Sequence, residues 1–331
     1  MLIKIFIFLL FFSISNSIFA QRKEVSLLPI KQNGKVGYID KSGNIVINPQ
    51  FDDGGDFYEG FACVVMNGKT GFIDELGNYL IKPQFNSFYG CYDKFREGFT
   101  SASIGNQDNK KWGFLDTKGN VTYFPNLNFL SDFREGLAFF EKDGRTGYMD
   151  KNFNIVIEPK FKSSGDFYFG RARATGLDGS EFYIDKSGNK VFDNNNGGEF
   201  QDEKAFFQIN GKYGFIDLNG QVIVKPRFDK ATHFGEGLAG VKLGNKWGFI
   251  NEKGEIVIEP QFDDVGVFSD GLVSVSINDK WGFVDKTGTI VIPPQFDKWT
   301  YYFEDGICEI HLNKKTGYID KSGNYIWQPS K

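Results

Sequence analysis

Two histidines, His233 and His311, are all the chain offers for proton transfer near neutral pH. They fall in different segments, and neither has a second histidine or a cysteine at ligand spacing. No Ser-His-Asp arrangement is legible, and His311, which alternates with apolar neighbours, is expected on the solvent side of a strand. A more regular feature is a set of acids: Asp40, Asp74, Asp116, Asp150, Asp185, Asp217, Asp285 and Asp320. Calcium takes about six to eight oxygens from closely spaced acids, whereas each copy here supplies one carboxylate, followed in most copies by Lys. Runs such as Asp40-Lys41-Ser42-Gly43 instead read as turns, with Asp accepting nearby N–H groups and Gly in the left-handed position. At Asn152-Phe153-Asn154 the glycine is missing, so that turn is expected to be strained or reshaped. Paired carboxylates for glycoside hydrolysis would have to lie about 5–9.5 Å apart, and a repeated acid offers such pairs by accident. The 40 glycines stand at turn and bulge positions and open no helix, so there is no phosphate cradle. The expectation is a protein that is not an enzyme and carries no metal or cofactor.

Aromatics are the residues in surplus, with 37 Phe, 14 Tyr and 5 Trp. Most recur at fixed positions and belong to a core. Those outside the pattern are Phe88, Tyr89 and Tyr92, then Trp299, Tyr301 and Tyr302, with Trp327 near the end. Exposed rings of this kind stack on sugars or anchor a protein partner. Phe88, Tyr89, Tyr92, Trp299, Tyr301 and Tyr302 are therefore the candidate ligand-binding residues.

The elements that hold these side chains come from one repeated sentence, clearest in Lys246–Asp263, KWGFINEKGEIVIEPQFD. It reads as two strands joined by Glu252-Lys253-Gly254. A third strand precedes it: in Leu272–Ile277, Val273, Val275 and Ile277 point one way and the serines the other. Asn278-Asp279, Gly244-Asn245 and Asn67-Gly68 supply tight turns between that strand and the next. The glycine after Trp112, Trp247 and Trp281 lies inside a strand, which implies a bulge or a large neighbour resting on the backbone. Prolines such as Pro260 close the last strand of a unit. Phe51, Phe85, Phe161, Phe228, Phe262 and Phe296 follow two residues later. A second aromatic, such as Phe57 or Phe268, ends each connector, and the two together read as plugs between units.

The glycine of this sentence, or its counterpart, recurs at Gly37, Gly71, Gly113, Gly147, Phe182, Gly214, Gly248, Gly282 and Gly317, at intervals of 32 to 42 residues. That defines nine units, the fifth of them (169–201) degenerate, either as a flexible joint or through drift in a tolerant array. Residues 1–20, with Lys4, an apolar run to Phe12 and Ala20 before a cut, read as a secretory signal peptide too short to span a bilayer. Residues 21–331 then form a single array, exported to the periplasm or beyond, with no membrane span once the leader is gone. Acids and lysines are interleaved at a net charge of −4, without the basic face that nucleic acid requires. Three cysteines, Cys63, Cys91 and Cys308, exclude a dense disulfide framework. A Cys63–Cys91 pair is conceivable, and buried free thiols are the expectation.

The pattern K-W-G-[FY]-I-[DN]-x-x-G-x-I-V-I-x-P-x-[FY] resembles the bacterial WG-containing repeat family over residues 25–331. The resemblance implies an exported or envelope-associated binding scaffold and brings no catalytic residues with it. A unit of about 34 residues cannot bury a core alone and must share one with its neighbours. The fold expected is all-β: three-stranded antiparallel repeats stacked as an open β-solenoid or superhelix, with a closed β-propeller-like ring as the alternative. The open form is preferred because the first and last units are each complete, leaving no split blade to join the ends. The function expected is a scaffold for a protein or cell-envelope component. The alternative is a glycan-binding module built on the off-pattern aromatics.

Overall fold

The computed structural model describes residues 27–86, 94–104, 111–194, 196–297 and 302–330. Within a unit, alternation and turn chemistry produce the expected meander. Leu272–Ile277 pairs antiparallel with Lys280–Asp285, which pairs in turn with Ile290–Phe296. The hairpin between the first two carries Asn278 and Asp279 at φ of 51° and 61°, the left-handed region such a turn demands. A short strand in the connector, Asp264–Val265, adds a fourth member to this sheet. The described residues make nine antiparallel sheets, five of four strands and four of three. They are numbered here as blades 1 to 9 in chain order.

The glycine inside the middle strand sits at a bulge. Trp247 pairs with Phe262 and Phe249 with Ile258, so two steps on one strand face four on the other. A Cβ on Gly248 would lie 2.4 Å from the Ile258 carbonyl oxygen, so only glycine fits. The bulge read from the sequence is present, and what rests on the glycine is the backbone of the paired strand and not a large side chain.

The repeated acids cap their own turns. Asp40 Oδ1 accepts the N–H groups of Ser42 and Asn44, each at 2.9 Å, and its Oδ2 accepts the Asn44 side-chain amide; that amide, with the backbone N–H groups, holds the carboxyl below the usual range. The Asp150 turn keeps the same bonds, to Asn152 and Asn154. It is strained without being reshaped. Phe153 takes the glycine's place at φ 65°, and its ring packs on Phe99, Phe114 and Phe124.

Each connector aromatic seals the seam between two blades, as the sequence implied. Tyr38 meets Phe57, Phe114 meets Phe133 and Phe283 meets Phe303; across eight seams the paired ring centroids lie 4.5–5.4 Å apart. Where a blade has the turn glycine, that residue also presses on the third strand of the blade before it: Gly77 on Ile47, Gly254 on Val224, Gly288 on Ile258, Gly323 on Ile292. The degenerate fifth unit is stitched in by other means. Arg171 Nε donates to the Leu218 carbonyl at 2.9 Å, and Tyr183, Phe200, Phe207 and Ile216 share a core. Drift with compensation accounts for it.

The open array is overturned. Gly43 of blade 1 presses on Ile326 of blade 9, the contact that the turn glycines of the other blades make with the blade before them. Leu28, Ile30 and Ile39 form one cluster with Ile307 and Tyr318. The nine sheets therefore close into a nine-bladed β-propeller. The argument from complete end units fails because closure needs no shared sheet: the face that joins blade to blade also joins last to first. A small rotation per unit decides whether such a stack closes, and rotation is not written in any one unit.

Candidate binding surface

Of the aromatic candidates, Phe88, Tyr89, Tyr92, Trp299 and Tyr301 lie outside the described residues, as does the leader. Tyr302 stands exposed just before the Phe303 plug. Among the described residues Tyr302 is the one member of that set. The structure shows which positions the scaffold has already used.

One rim of the ring is joined by carboxylates. The Glu59 carboxylate accepts the N–H groups of Glu97 and Gly98 of the next blade, each at 2.7 Å. Glu97 takes the Gly136 N–H at 3.0 Å, Glu135 those of Phe169 and Gly170, Glu236 that of Gly271, and Asp270 that of Gly306. The Lys of the Asp-Lys turn completes several of these joints: Lys151 reaches Glu97 at 3.2 Å, and Lys186 and Lys286 reach Glu135 and Glu236 at 3.1 Å. On the opposite rim, Asp52 joins Lys35 Nζ of its own blade (2.6 Å) to the Asn67 N–H of the next (2.7 Å). Asp229, Asp263 and Asp297 repeat this with Lys212, Lys246 and Lys280. The motif residues are thus engaged in holding blade to blade.

What differs between blades is the residue just before each connector aromatic: Asp56, Lys94, Asp132, Asp166, Glu199, His233, Val267 and Tyr302. Side chains from blades that are not neighbours interact here: Arg96 of blade 3 with Asp166 of blade 5, and Asp56 of blade 2 with Glu309 of blade 9. Only the inner side of a ring allows this. Arg134 Nε lies 2.9 Å from Asp166 Oδ2, with its guanidinium over the Tyr168 ring. Asp132 accepts the Ser101 N–H at 2.7 Å, and Lys94 donates to the Tyr58 hydroxyl at 2.8 Å. Burial pushes the Asp132, Asp166 and Glu199 carboxyls up, and Asp166 adds to the rise at Glu199. Burial lowers the His233 imidazole. The sequence reading passed over these residues. The signal available was a fixed register position whose charge changes from unit to unit.

Between blades 9 and 1 lies a cavity of about 290 Å³ lined by Ile30, Glu309, Thr316, Tyr318 and Trp327 among others. His311 is half-buried here instead of facing solvent. Its Nε2 lies 3.3 Å from Glu309 and its Nδ1 3.2 Å from the Thr316 hydroxyl. Burial, with Asp56 adding, pushes the Glu309 carboxyl up to about 7. The cysteines divide: Cys63 is disulfide-bonded, against the expected thiols, whereas Cys308 is a buried thiol whose Sγ donates to the Glu309 carbonyl at 3.2 Å, and Cys91 lies outside the described residues. Among the described residues no group of three or more potential ligands could hold a metal, and no helix is long and apolar enough to cross a membrane.

Comparison with known proteins agrees on the architecture. No curated protein matches the chain. Among solved structures it is similar to one described as a eukaryotic initiation factor, at 12% identity and a TM-score of 0.60, covering 92% of this chain and 95% of that one. It is also similar to BamB from Moraxella catarrhalis, at 12% identity and a TM-score of 0.41, covering 91% and 93%. Such identities speak to fold alone, and the second score is too low to carry an argument. The profile described as WG containing repeat matches residues 37–69, 71–106, 112–145, 147–175, 213–247, 247–281 and 281–315. The chain belongs to the WG containing repeat family.

Proposed function

We infer that the protein is an exported, non-enzymatic scaffold that binds a protein or cell-envelope component through the inner side of blades 2 to 6. One observation carries this reading: motif positions are spent on inter-blade joints, while the register position before each plug changes chemistry around the ring, from Asp to Lys, Glu, His, Val and Tyr. A surface that varies in this way is what one specific partner would need from a repeated frame. Crowded carboxyls beside Arg96 and Arg134 give it patterned charge, and Tyr58 and Tyr168 give it rings suited to an interface. Export rests on the leader-like first 20 residues and is supported by the disulfide at Cys63, a bond favoured in oxidising compartments.

Affinity capture from the native envelope with the wild-type chain and with the Arg96→Glu/Arg134→Glu variant tests it. A specific partner held by the wild type and lost by the variant, at unchanged secondary structure, is the expected result. Equal capture by both would place the interface elsewhere. Retention on polysaccharide instead of protein would favour the glycan reading.

A further inference from the structure

On the rim where Asp52, Asp229, Asp263 and Asp297 join the blades, the corner between blades 4 and 5 reverses the charge. In each of those four joints a lysine at the start of the middle strand pairs with the aspartate 17 residues later, at 2.5–2.6 Å. In blade 3 the aspartate's place falls to Asn128, whose Oδ1 accepts the Asp143 N–H at 3.1 Å. Blade 4 starts its middle strand with Arg145, and 17 residues later stands Lys162. Its backbone keeps the register, because the Lys162 N–H donates to the Thr175 carbonyl at 2.9 Å as the Asp263 N–H does to that of Ser276. A guanidinium therefore meets an ammonium where the frame elsewhere sets an ion pair. A third cation joins them. Lys142 lies directly across the hairpin from Arg145, in a position held by Ile209, Leu243, Ile277 and Leu312 in blades 6 to 9. Like charges directly opposite in a sheet are unfavourable, so this corner is not arranged for stability. Lys142, Arg145 and Lys162 are all exposed, and among the described residues none of them has a carboxylate within ion-pair distance. Asp178 of the facing hairpin is occupied by the Ser180 N–H and hydroxyl. Beside it Leu177, in the register place of Asn278, is 60% exposed.

We propose that this corner is a docking site for an acidic, extended segment of a partner protein, with acids at alternate positions followed by an apolar residue on the same face. The carboxylates take Arg145 and the two lysines, and the fork of the guanidinium gives a bidentate, charge-assisted contact. The apolar side chain covers Leu177. Alternate residues of a strand share one face, so one short segment can make all these contacts. The partner thereby supplies what the chain supplies to itself at four other joints, an anion set against a cation. The inference rests on the scaffold reading and adds a second contact to it, on a rim and not on the inner side of blades 2 to 6.

The test is fluorescence anisotropy of a labelled Asp-Ser-Glu-Ser-Leu peptide titrated with the full chain. Saturable binding that weakens with added salt is expected. Lys162→Asp restores the pair found in four other blades, so its two effects have opposite signs. It should raise the melting temperature by about 1–2 °C and weaken peptide binding about tenfold or more. A site lost through misfolding could not show that combination. Lys142→Leu, which installs the residue of blades 7 and 9, should weaken binding about threefold or more by the same argument. Absence of saturable binding, equal binding by the wild type and Lys162→Asp, or a lower melting temperature in Lys162→Asp overturns the proposal. So does attachment to phosphatidylglycerol vesicles without binding of the peptide, which would assign the corner to a membrane surface. The Arg96→Glu/Arg134→Glu variant leaves these three cations in place and should bind the peptide as the wild type does. Peptide binding can therefore fail while envelope capture succeeds, and the reverse.

Discussion

The hydroxyl of Tyr318 donates to the carbonyl of Pro29 at 2.8 Å, across 289 residues of chain. In blades 1, 4 and 5 the equivalent tyrosines, Tyr38, Tyr148 and Tyr183, donate instead to connector carbonyls at Gly55, Gly165 and Gly198. The closing seam thus turns a hydroxyl used elsewhere to hold a connector onto the first strand of the ring. Tyr318→Phe leaves a part-buried carbonyl without its donor. It should lower unfolding free energy by about 1–2 kcal/mol, measured by urea denaturation. No change would mean that apolar packing alone closes the ring.

Gly248→Ala tests the strand bulge. The added methyl would meet the Ile258 carbonyl at 2.4 Å and the Pro260 nitrogen at 2.7 Å. Both are backbone atoms in paired strands and cannot step aside cheaply. A loss of about 3 kcal/mol or more is expected, seen as a lower denaturation midpoint or failure to accumulate in soluble form. A neutral outcome would mean that the third strand slides freely.

At Phe153 two effects oppose each other. Glycine there would relieve a left-handed backbone, worth about 1 kcal/mol. It would also remove a ring that packs on Phe99, Phe114 and Phe124, worth about 3 kcal/mol when deleted from a core. Phe153→Gly should therefore destabilise by about 2 kcal/mol in thermal or chemical melts. A gain in stability would show that the strain outweighs the packing.

Glu309 gives the fold a pH dependence of known sign. Its carboxyl rises from 4.5 in the reference state to about 7 in the ring, so the folded chain holds this proton more tightly than the unfolded one. Stability from this group is complete below about pH 4.5 and is lost as pH rises through about 7. Removing the ionisable acid with Glu309→Gln should raise the stability at pH 8 by up to about 3 kcal/mol and change little at pH 4. Melting curves at both pH values check it, and equal effects at both would contradict the burial of this carboxyl.

The sequence by itself determined the unit. Period-two alternation in Leu272–Ile277, Asn-Asp and Asn-Gly turns, the Asp caps, the glycine after Trp247 and the paired plugs are local features, governed by contacts within about one repeat. Tertiary structure alone decided that nine units close into a ring. Closure depends on a rotation between blades that accumulates over the whole chain, and it is visible only where the two ends meet, as Gly43 reaches Ile326 and Tyr318 reaches Pro29. Placement of charge was decided at the same level. Arg96, Asp132, Arg134, Asp166 and Glu199 look unremarkable in sequence because they stand in separate units, and they share a surface only because the ring turns one side of every blade inward. The aromatics chosen from sequence were selected for departing from the pattern. What that selection passed over is a position that keeps its register and changes its chemistry.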